Sequence, residues 1–250
     1  MNTAPATSLP GQPGSALGAV TPRPARRRVT DAPMRMFHAL FALSFALAWV
    51  TGDSEHWRAL HVTLGYTMVG LLVFRIVYGF VGPRPARWSS LASRLAGAPA
   101  WWRATAAGLR RGEVPWRQGQ NLLMAAVVVT LLAGLVPLAL SGYATYAEWG
   151  GDWLEEVHEA FANAMLAIVL LHLGFIGLLS VLRRQNLTLP MLTGQVSGSG
   201  PDLVPSQRRW LAGLMLMAVI GFGAWQWSES PHGLLPLHGD AASAADLDDD

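Results

Sequence analysis

Five long apolar runs constrain this chain more than any other feature of its sequence. They lie at residues 35–52, 61–82, 121–141, 157–182 and 210–227. A helix needs about 20 mainly apolar residues to cross the hydrocarbon core of a bilayer, so each run is close to the length of one membrane-spanning helix. Of the 250 residues, 52% are hydrophobic and only 14% are charged, which is also typical of a membrane protein. The sequence therefore predicts an all-α membrane protein with five spans.

Arginine is distributed unevenly over the segments between these runs. All 18 basic residues are arginine; five lie in the N-terminal segment, seven at 83–120 and four at 183–209. Cytoplasmic loops of membrane proteins carry an excess of basic residues, so these three segments are predicted to be cytoplasmic. The segments on the opposite face, including the C-terminal DLDDD, are acidic. The predicted topology is multi-pass, with the N-terminus in the cytoplasm and the C-terminus outside.

Composition divides the chain further. Residues 1–30 are rich in Pro, Gly, Ala and Thr and are predicted to be a disordered cytoplasmic tail, whereas 31–195 hold the first four spans. Within them, 88–112 pairs tryptophans with arginines, which favours an amphipathic helix on the cytoplasmic leaflet; a solvated linker is the alternative. Residues 196–227 are interpreted as a linker and the fifth helix, and 228–250 as an acidic external tail.

Four histidines lie within or at the ends of the apolar runs, where ionisable residues are costly and usually functional. Any one of them could instead be a hydrogen-bonded packing residue. His158 and His172 are fourteen residues apart, which places them about 40° apart on one helix face and roughly 21 Å apart along its axis. Antiparallel neighbours supply a partner at each depth: His61 for His158 at the outer end, and His38 for His172 at the inner end.

Two histidines at each of two depths favour haem over other metal groups. Neutral imidazole ligates haem iron, zinc, copper and nickel, but zinc usually takes four ligands at one point. The chain has no cysteine, which excludes covalent haem attachment and thiolate-ligated iron–sulfur clusters. A planar haem takes one axial ligand on each side and suits the apolar interior of a helix bundle. The prediction is a four-helix transmembrane bundle enclosing two non-covalent, bis-histidine haems b, with a fifth C-terminal helix.

Two arginines are candidates to bind the haem propionates. Arg75 follows His61 by fourteen residues, repeating the spacing of the other histidine pair, so it is expected to face the same interior at the inner depth. A membrane arginine there can neutralise a propionate, although snorkelling toward the cytoplasmic interface is the alternative. Arg35 precedes His38 by nearly one turn and is a second candidate, or a residue that only sets the topology.

The chain resembles the bacterial cytochrome b561 and nickel-iron hydrogenase b-type subunit family, the di-haem membrane cytochromes b. The resemblance covers about residues 33–195 and rests on RMFHALFALSFALAWVTG, WRALHVTLGYTMVGLLVFRIVYGFVGPRPARWS, the NLLMAAVVVTLLAGLVPLALSGYA helix and GDWLEEVHEAFANAMLAIVLLHLGFIGLLSVLRRQNLTLPMLTG. It implies that His38, His61, His158 and His172 are axial ligands. One departure is the GQNL stretch at 119–122, where such proteins often have Gly-His-Asn-Pro and this chain has Gln120 at the histidine position.

The resemblance also implies a function. Such proteins lie in the bacterial inner membrane and pass electrons between the quinone pool and a periplasmic partner, either a soluble c-type cytochrome or a hydrogenase-like enzyme. We expect no nucleic-acid partner. The alternative is a non-redox membrane protein with interior histidines, such as a metal transporter or an assembly factor. If the acidic outer face docks the partner, quinone is expected to react near the cytoplasmic end, beside Arg35, Arg75, Gln120 and the Trp101–Trp102 segment.

Overall fold

A computed structural model describes residues 25–230, and its architecture is almost entirely helical. The long helices are α1 (Ala32–Thr51), α2 (Arg58–Val81), α5 (Trp116–Tyr146), α6 (Trp153–Leu182) and α8 (Arg209–Glu229). Shorter elements are α3 (Trp88–Ala96), α4 (Ala98–Gly108), α7 (Leu189–Thr193), β1 (Arg26–Arg28) and β2 (Gln195–Ser197), with 3-10 turns at Glu55–Trp57, Arg84–Ala86 and Leu109–Arg111. The five long helices are apolar and long enough to cross a membrane. The prediction of an all-α membrane protein with five spans is confirmed.

The spanning helices are longer than the apolar runs that predicted them. Helix α5 has 31 residues and α6 has 30, which makes each about 45 Å long, well beyond the roughly 30 Å hydrocarbon core. Their additional turns lie mainly at the ends, where polar residues continue the helical backbone into the interface. Hydropathy alone therefore detected each helix but underestimated its length, because the polar residues at the helix ends are not part of the apolar run.

Two antiparallel helix hairpins form the bundle. Helices α1 and α2 pack together, as do α5 and α6, and α2 joins the hairpins by contacting α5. The buried side chains at this junction are Met68 and Leu72 of α2, Leu135 and Leu138 of α5, and Met165 of α6. This apolar layer lies between the two depths at which the histidines occur, so it separates the outer half of the bundle from the inner half.

The fifth helix packs against α1 and α2 rather than against the second hairpin. A buried cluster joins Phe37 of α1, Leu71 of α2 and Met215 of α8. Because Leu71 and Leu72 are adjacent on a helix, they point to different sides of α2: one toward α8 and the other toward α5 and α6. Helix α2 is therefore the shared element of the whole assembly.

Two short helices occupy the segment that the sequence assigned to one interfacial helix. Helix α3 ends at Ala96 and α4 begins at Ala98, with Gly97 between them. Both helices contact α5, so the segment packs back onto the bundle. The predicted interfacial range of 88–112 thus contains helix, as expected, but the helix is broken and not continuous.

A small two-stranded clasp joins the start of the described chain to the segment before α8. Strand β1 pairs antiparallel with β2, with Arg27 opposite Val196. The side chain of Asp202 accepts hydrogen bonds from the backbone N–H of Arg28, at 2.6 Å, and from its guanidinium, at 2.8 Å. The prediction of a disordered tail therefore does not hold for residues 26–28, because their backbone groups find strand partners. Residues 1–24 and most of the predicted acidic tail, 231–250, lie outside the described residues.

Candidate cofactor site

The outer histidine pair is brought together as its positions in the sequence predicted. His61 lies in the first turns of α2 and His158 in the first turns of α6, and their ring centroids are 6.1 Å apart, with the ring planes at 83°. With metal–imidazole bonds of about 2 Å, and a ring nitrogen about 1.2 Å from its ring centre, two imidazoles on opposite sides of one metal ion have centroids about 6 Å apart. The observed separation therefore fits a shared axial pair.

Backbone carbonyls fix the tautomer of both outer histidines. The Nδ1 atom of His61 lies 2.9 Å from the carbonyl oxygen of Ala48, and Nδ1 of His158 lies 3.0 Å from that of Leu138. A carbonyl oxygen only accepts hydrogen bonds, so Nδ1 must carry the proton and donate in each case. The unprotonated nitrogen is then Nε2, which is the form in which histidine ligates a metal while its other nitrogen holds the ring in place.

A glycine on α5 makes room for His158. A Cβ atom added at Gly142 would lie 2.7 Å from Cε1 and 3.0 Å from Nδ1 of His158, closer than real Cβ atoms approach ring atoms. The neighbouring Ser141 is buried, and its hydroxyl lies 3.3 Å from His158 Nδ1. Close approach of α5 therefore sets both the position and the orientation of the imidazole on α6.

The inner pair is less constrained than the outer pair. His172 is half-buried in the middle of α6, and its Nδ1 atom is buried without a hydrogen-bond partner in the described structure. His38 of α1, the predicted partner of His172, has an exposed side chain. No carbonyl sets the tautomer of His172 in the described structure, in contrast to the two outer histidines.

Arg75 points into the protein and does not reach the surface. Its side chain is only 5% exposed, and its Nη1 atom is buried without a hydrogen-bond partner in residues 25–230. The guanidinium carbon lies 4.4 Å from the ring centroid of Trp88, the first residue of α3. Snorkelling to the cytoplasmic interface, the alternative expected from the sequence, is thus not what the side chain does.

These donors suit a haem better than a bare metal ion. Two histidines approach each other at the outer depth, whereas no group of three or more His, Cys, Asp or Glu side chains converges on one point within residues 25–230. The unpartnered Nδ1 of His172 and the free Nη1 of Arg75 are also polar atoms that a ligand with acidic side groups can satisfy. The residues present therefore fit a haem held by two histidines at the outer end, and at the inner end they leave polar atoms of His172 and Arg75 without partners in residues 25–230.

Comparison with known proteins agrees with this geometry. The family model for prokaryotic cytochrome b561 matches residues 29–194, which is well over half of the chain. This protein belongs to the prokaryotic cytochrome b561 family. No curated protein and no solved structure matches the chain. Members of the family are di-haem electron-transfer cytochromes of the membrane, so family membership implies haem b and a four-helix haem bundle.

The four candidate ligand histidines of this cytochrome lie inside the matched range, whereas the fifth helix, α8, lies outside it. Helix α8 nevertheless packs on the family core through Met215. His56 is also inside the matched range, in the short turn between α1 and α2, edge-on to Trp57 with ring centroids 5.3 Å apart. His232 and His238 lie outside the described residues.

Arg35 has a partner within the cytochrome itself. Its Nη1 atom donates to the carbonyl oxygen of Leu192 at 2.9 Å, which ties α1 to α7. Its Nε atom is buried and has no partner in the described structure. Arg35 therefore holds the inner end together, with one donor left for an anionic group.

Sequence reasoning missed a buried polar network at the inner end. Asp31 is 1% exposed, caps α1 by accepting from the N–H of Met34 at 3.3 Å, and accepts a hydrogen bond from the Tyr78 hydroxyl of α2. Arg208, just before α8, donates to that same hydroxyl at 3.2 Å. The cap was detectable, because aspartate followed closely by proline is typical of a helix start. Its two partners are distant in the chain, and no sequence pattern indicates them.

Proposed function

We propose that this cytochrome carries electrons across the bacterial inner membrane, between the quinone pool and a soluble periplasmic redox partner. The observation that carries the proposal is the His61–His158 pair, with its 6.1 Å ring separation and both Nδ1 atoms on carbonyls, inside a chain of this family. Bis-histidine haem has no open coordination position, so it supplies one-electron transfer rather than oxygen or substrate chemistry.

In this proposal His61 and His158 hold the outer haem, and His38 and His172 hold the inner one. The histidines of each pair come from different hairpins, α1–α2 and α5–α6, so each haem also ties the two hairpins together. Arg75 binds an inner propionate, since a buried guanidinium with a free Nη1 calls for an anionic acceptor. Arg35 is the weaker candidate, because Leu192 already accepts from it.

The proposed orientation follows from charge. The two segments that would be cytoplasmic, 83–120 and 183–209, carry most of the arginines beyond the N-terminal segment. Positive residues concentrate on the cytoplasmic side of membrane proteins. The N-terminus is therefore assigned to the cytoplasm, and the His61–His158 pair to the periplasmic end.

Quinone is proposed to react at the cytoplasmic end. Three side-chain polar atoms are buried there without partners where α4 meets α5: Trp101 Nε1, Thr105 Oγ1 and Gln120 Oε1. The ring of Trp101 packs directly on Gly119, where a Cβ would lie 2.8 Å from Nε1. Together these atoms can donate to a quinone carbonyl and accept from a quinol hydroxyl, which are the contacts that such a head group needs.

The periplasmic partner is proposed to bind at the opposite end. Acidic residues precede or begin α6 there: Asp152, Glu155, Glu156 and Glu159. An acidic surface attracts a basic partner and raises its encounter rate, with an effect that weakens as salt increases. A basic c-type cytochrome or a basic face on a hydrogenase-like enzyme fits this surface.

The first test is spectroscopic. Purified full-length protein is expected to show a dithionite-reduced b-type spectrum and two haems per chain by pyridine haemochrome assay. Colourless protein that nevertheless folds and binds another metal would favour the alternative, a transporter or assembly factor.

The second test separates the two ends. His172→Ala, which removes only the inner pair, is expected to abolish reduction by a quinol analogue while the remaining haem still exchanges electrons with a soluble cytochrome c. His158→Ala is the matched variant at the other end and is expected to retain reduction by quinol. If His172→Ala is reduced by quinol at the normal rate, the quinone site is at the periplasmic end.

A further inference from the structure

The indole of Trp88 is held in one orientation against α2. Trp88 begins α3, yet its ring folds back over the preceding helix, and its Nε1 donates to the carbonyl oxygen of Ile76 at 3.0 Å. The ring lies on the bare surface of Gly79, where a Cβ would come within 2.1 Å of Nε1. A glycine and a carbonyl acceptor on α2 thus together form a seat for this ring.

The seated ring presents its face to Arg75. The guanidinium carbon lies 4.4 Å from the ring centroid, a distance at which a cation is attracted to the electron-rich face of an indole. Arg75 lies on the same face of α2 as Met68 and Leu72, which pack against the second hairpin. The indole therefore holds a positive charge on the interior side of the bundle, where a long side chain would otherwise extend toward water.

The guanidinium has no anion within the described protein. Residues 25–230 contain no carboxylate in an ion pair with Arg75, and its Nη1 atom has no hydrogen-bond partner. A buried charge without a partner is costly, so this arrangement is expected only where a ligand brings the counter-charge. Arg75 follows His61 by fourteen residues, which places it about 21 Å further along α2, at the inner depth.

We propose that Trp88 is a positioning residue: seated on Gly79 and Ile76, it holds the Arg75 guanidinium toward a propionate of the inner haem. This inference rests on the proposed function and adds to it the residue that controls the charge beside that haem. A fixed positive charge stabilises the added electron, so the pair raises the reduction potential of the inner haem relative to the same haem without it.

The test is a spectroscopic redox titration of the full-length, haem-loaded protein. Arg75→Gln is expected to lower the reduction equilibrium constant of the inner haem about tenfold, which corresponds to about 59 mV for one electron. Trp88→Leu frees the guanidinium and is expected to lower the same constant three- to tenfold, roughly 30–59 mV. The double variant should fall no further than Arg75→Gln alone, because Trp88 acts through Arg75. The outer haem should titrate unchanged in all three.

The matched control is Trp210→Leu, which removes a 72% exposed indole from the start of helix α8 and should leave both potentials unchanged. The milder Trp88→Phe keeps a ring face but loses the Nε1 bond to Ile76, and is expected to shift the inner haem about two- to threefold in the same direction. It keeps the proposal testable if Trp88→Leu does not fold.

Two results would overturn the proposal while leaving the proposed function intact. One is a shift in Arg75→Gln with none in Trp88→Leu or Trp88→Phe, which would mean that the guanidinium needs no help from the indole. The other is an additive shift in the double variant, which would mean that the two residues act separately. Failure of the proposed function itself looks different, because the wild-type protein would then contain no b haem to titrate.

Discussion

The outer and inner histidine pairs differ in the groups that hold them in place. At the outer end, backbone groups orient the imidazoles. Nδ1 of His61 and Nδ1 of His158 each donate to a backbone carbonyl, and Gly142 allows α5 to approach His158 of α6 closely. At the inner end, Nδ1 of His172 has no partner in the described structure, and the buried Arg75 is held by the aromatic side chain of Trp88. The outer pair is therefore oriented by the fold itself, whereas the inner pair depends on side chains and on what it binds.

This difference has a consequence for function. An imidazole held by a backbone carbonyl keeps its orientation whether or not a ligand is present, so the outer site is preorganised. The inner half of the bundle instead contains the buried Arg75 and the half-buried Arg35, each with a nitrogen that has no partner in the described structure, so its charge balance depends on what it binds. Five experiments test this difference.

The largest expected effect comes from removing a ligand. His158→Ala and His172→Ala are each expected to lower the haem content from two per chain to one, the first at the outer end and the second at the inner end, because each haem loses an axial ligand. Pyridine haemochrome assay against protein concentration measures the ratio. His56→Ala is the control and should keep both haems, since His56 packs on Trp57 in the 3-10 turn before α2. Loss of a haem in His56→Ala, with both retained in His61→Ala, would mean that the outer ligand is His56.

Gly142→Ala tests whether close backbone approach sets the outer site. The added Cβ would lie 2.7 Å from His158 Cε1, so the ring must move. Displacing a group that orients a ligand typically weakens metal binding on the order of 10- to 100-fold, and the loss is expected for the outer haem only. Haem titration of the apoprotein measures it. Gly177→Ala on α6 is the control, because nothing lies within 4 Å of its added Cβ. Equal loss of both haems in Gly142→Ala would contradict the contrast.

Tyr78→Phe tests the side-chain network of the inner end. It removes the hydroxyl that donates to the buried Asp31 and accepts from Arg208. Leaving a buried carboxylate without this donor is expected to cost about 1–3 kcal/mol in the free energy of unfolding. Thermal unfolding in detergent, followed by loss of helical circular dichroism, measures the change. Tyr66→Phe, a more exposed tyrosine of the same helix, should have little effect. Equal destabilisation by both changes would mean that the hydrogen bonds of the Tyr78 hydroxyl with Asp31 and Arg208 contribute no more to stability than the hydroxyl of an exposed tyrosine.

Ser141→Ala is expected to have a small effect on the outer site. The Ser141 hydroxyl lies 3.3 Å from His158 Nδ1, but the carbonyl of Leu138 is nearer, at 3.0 Å, and still fixes the tautomer. The loss should be at most about 0.5–1.5 kcal/mol in haem binding. Haem titration would contradict this if Ser141→Ala proved as damaging as Gly142→Ala, because the hydroxyl and not the carbonyl would then orient the ring.

The smallest effect concerns the two-stranded clasp. The backbone N–H and the guanidinium of Arg28 lower the pKa of the Asp202 carboxyl. A lowered pKa in the folded state stabilises the protein above the unfolded pKa of about 3.9, and this contribution disappears as the pH falls through the folded value. Asp202→Asn is therefore expected to unfold slightly earlier than the wild type at pH 7 and equally early in strong acid. Melting curves across this range measure the difference, and a gap that persists in strong acid would exclude the ion pair as its cause.

The sequence predicted much of the site because depth in a membrane helix depends only on position along the chain. The fourteen-residue interval between His158 and His172 places them on one face of α6 at two depths, and the same interval led to Arg75. The structure brings together the outer partners that these depths predicted, His61 and His158. The short strand at Arg26–Arg28 was missed, since its partner β2 lies about 170 residues away.

The number of spans, their approximate limits, the uneven distribution of arginine and the depth of each histidine could all be predicted from the amino-acid order. These properties follow from hydropathy, charge and the rise of a helix, all of which are local. Only the tertiary structure decided that Ala48 and Leu138 fix the outer tautomers, that Gly142 admits His158, and that Trp88 holds Arg75. Each of these depends on how closely two separate segments approach, and that distance results from packing across the whole bundle.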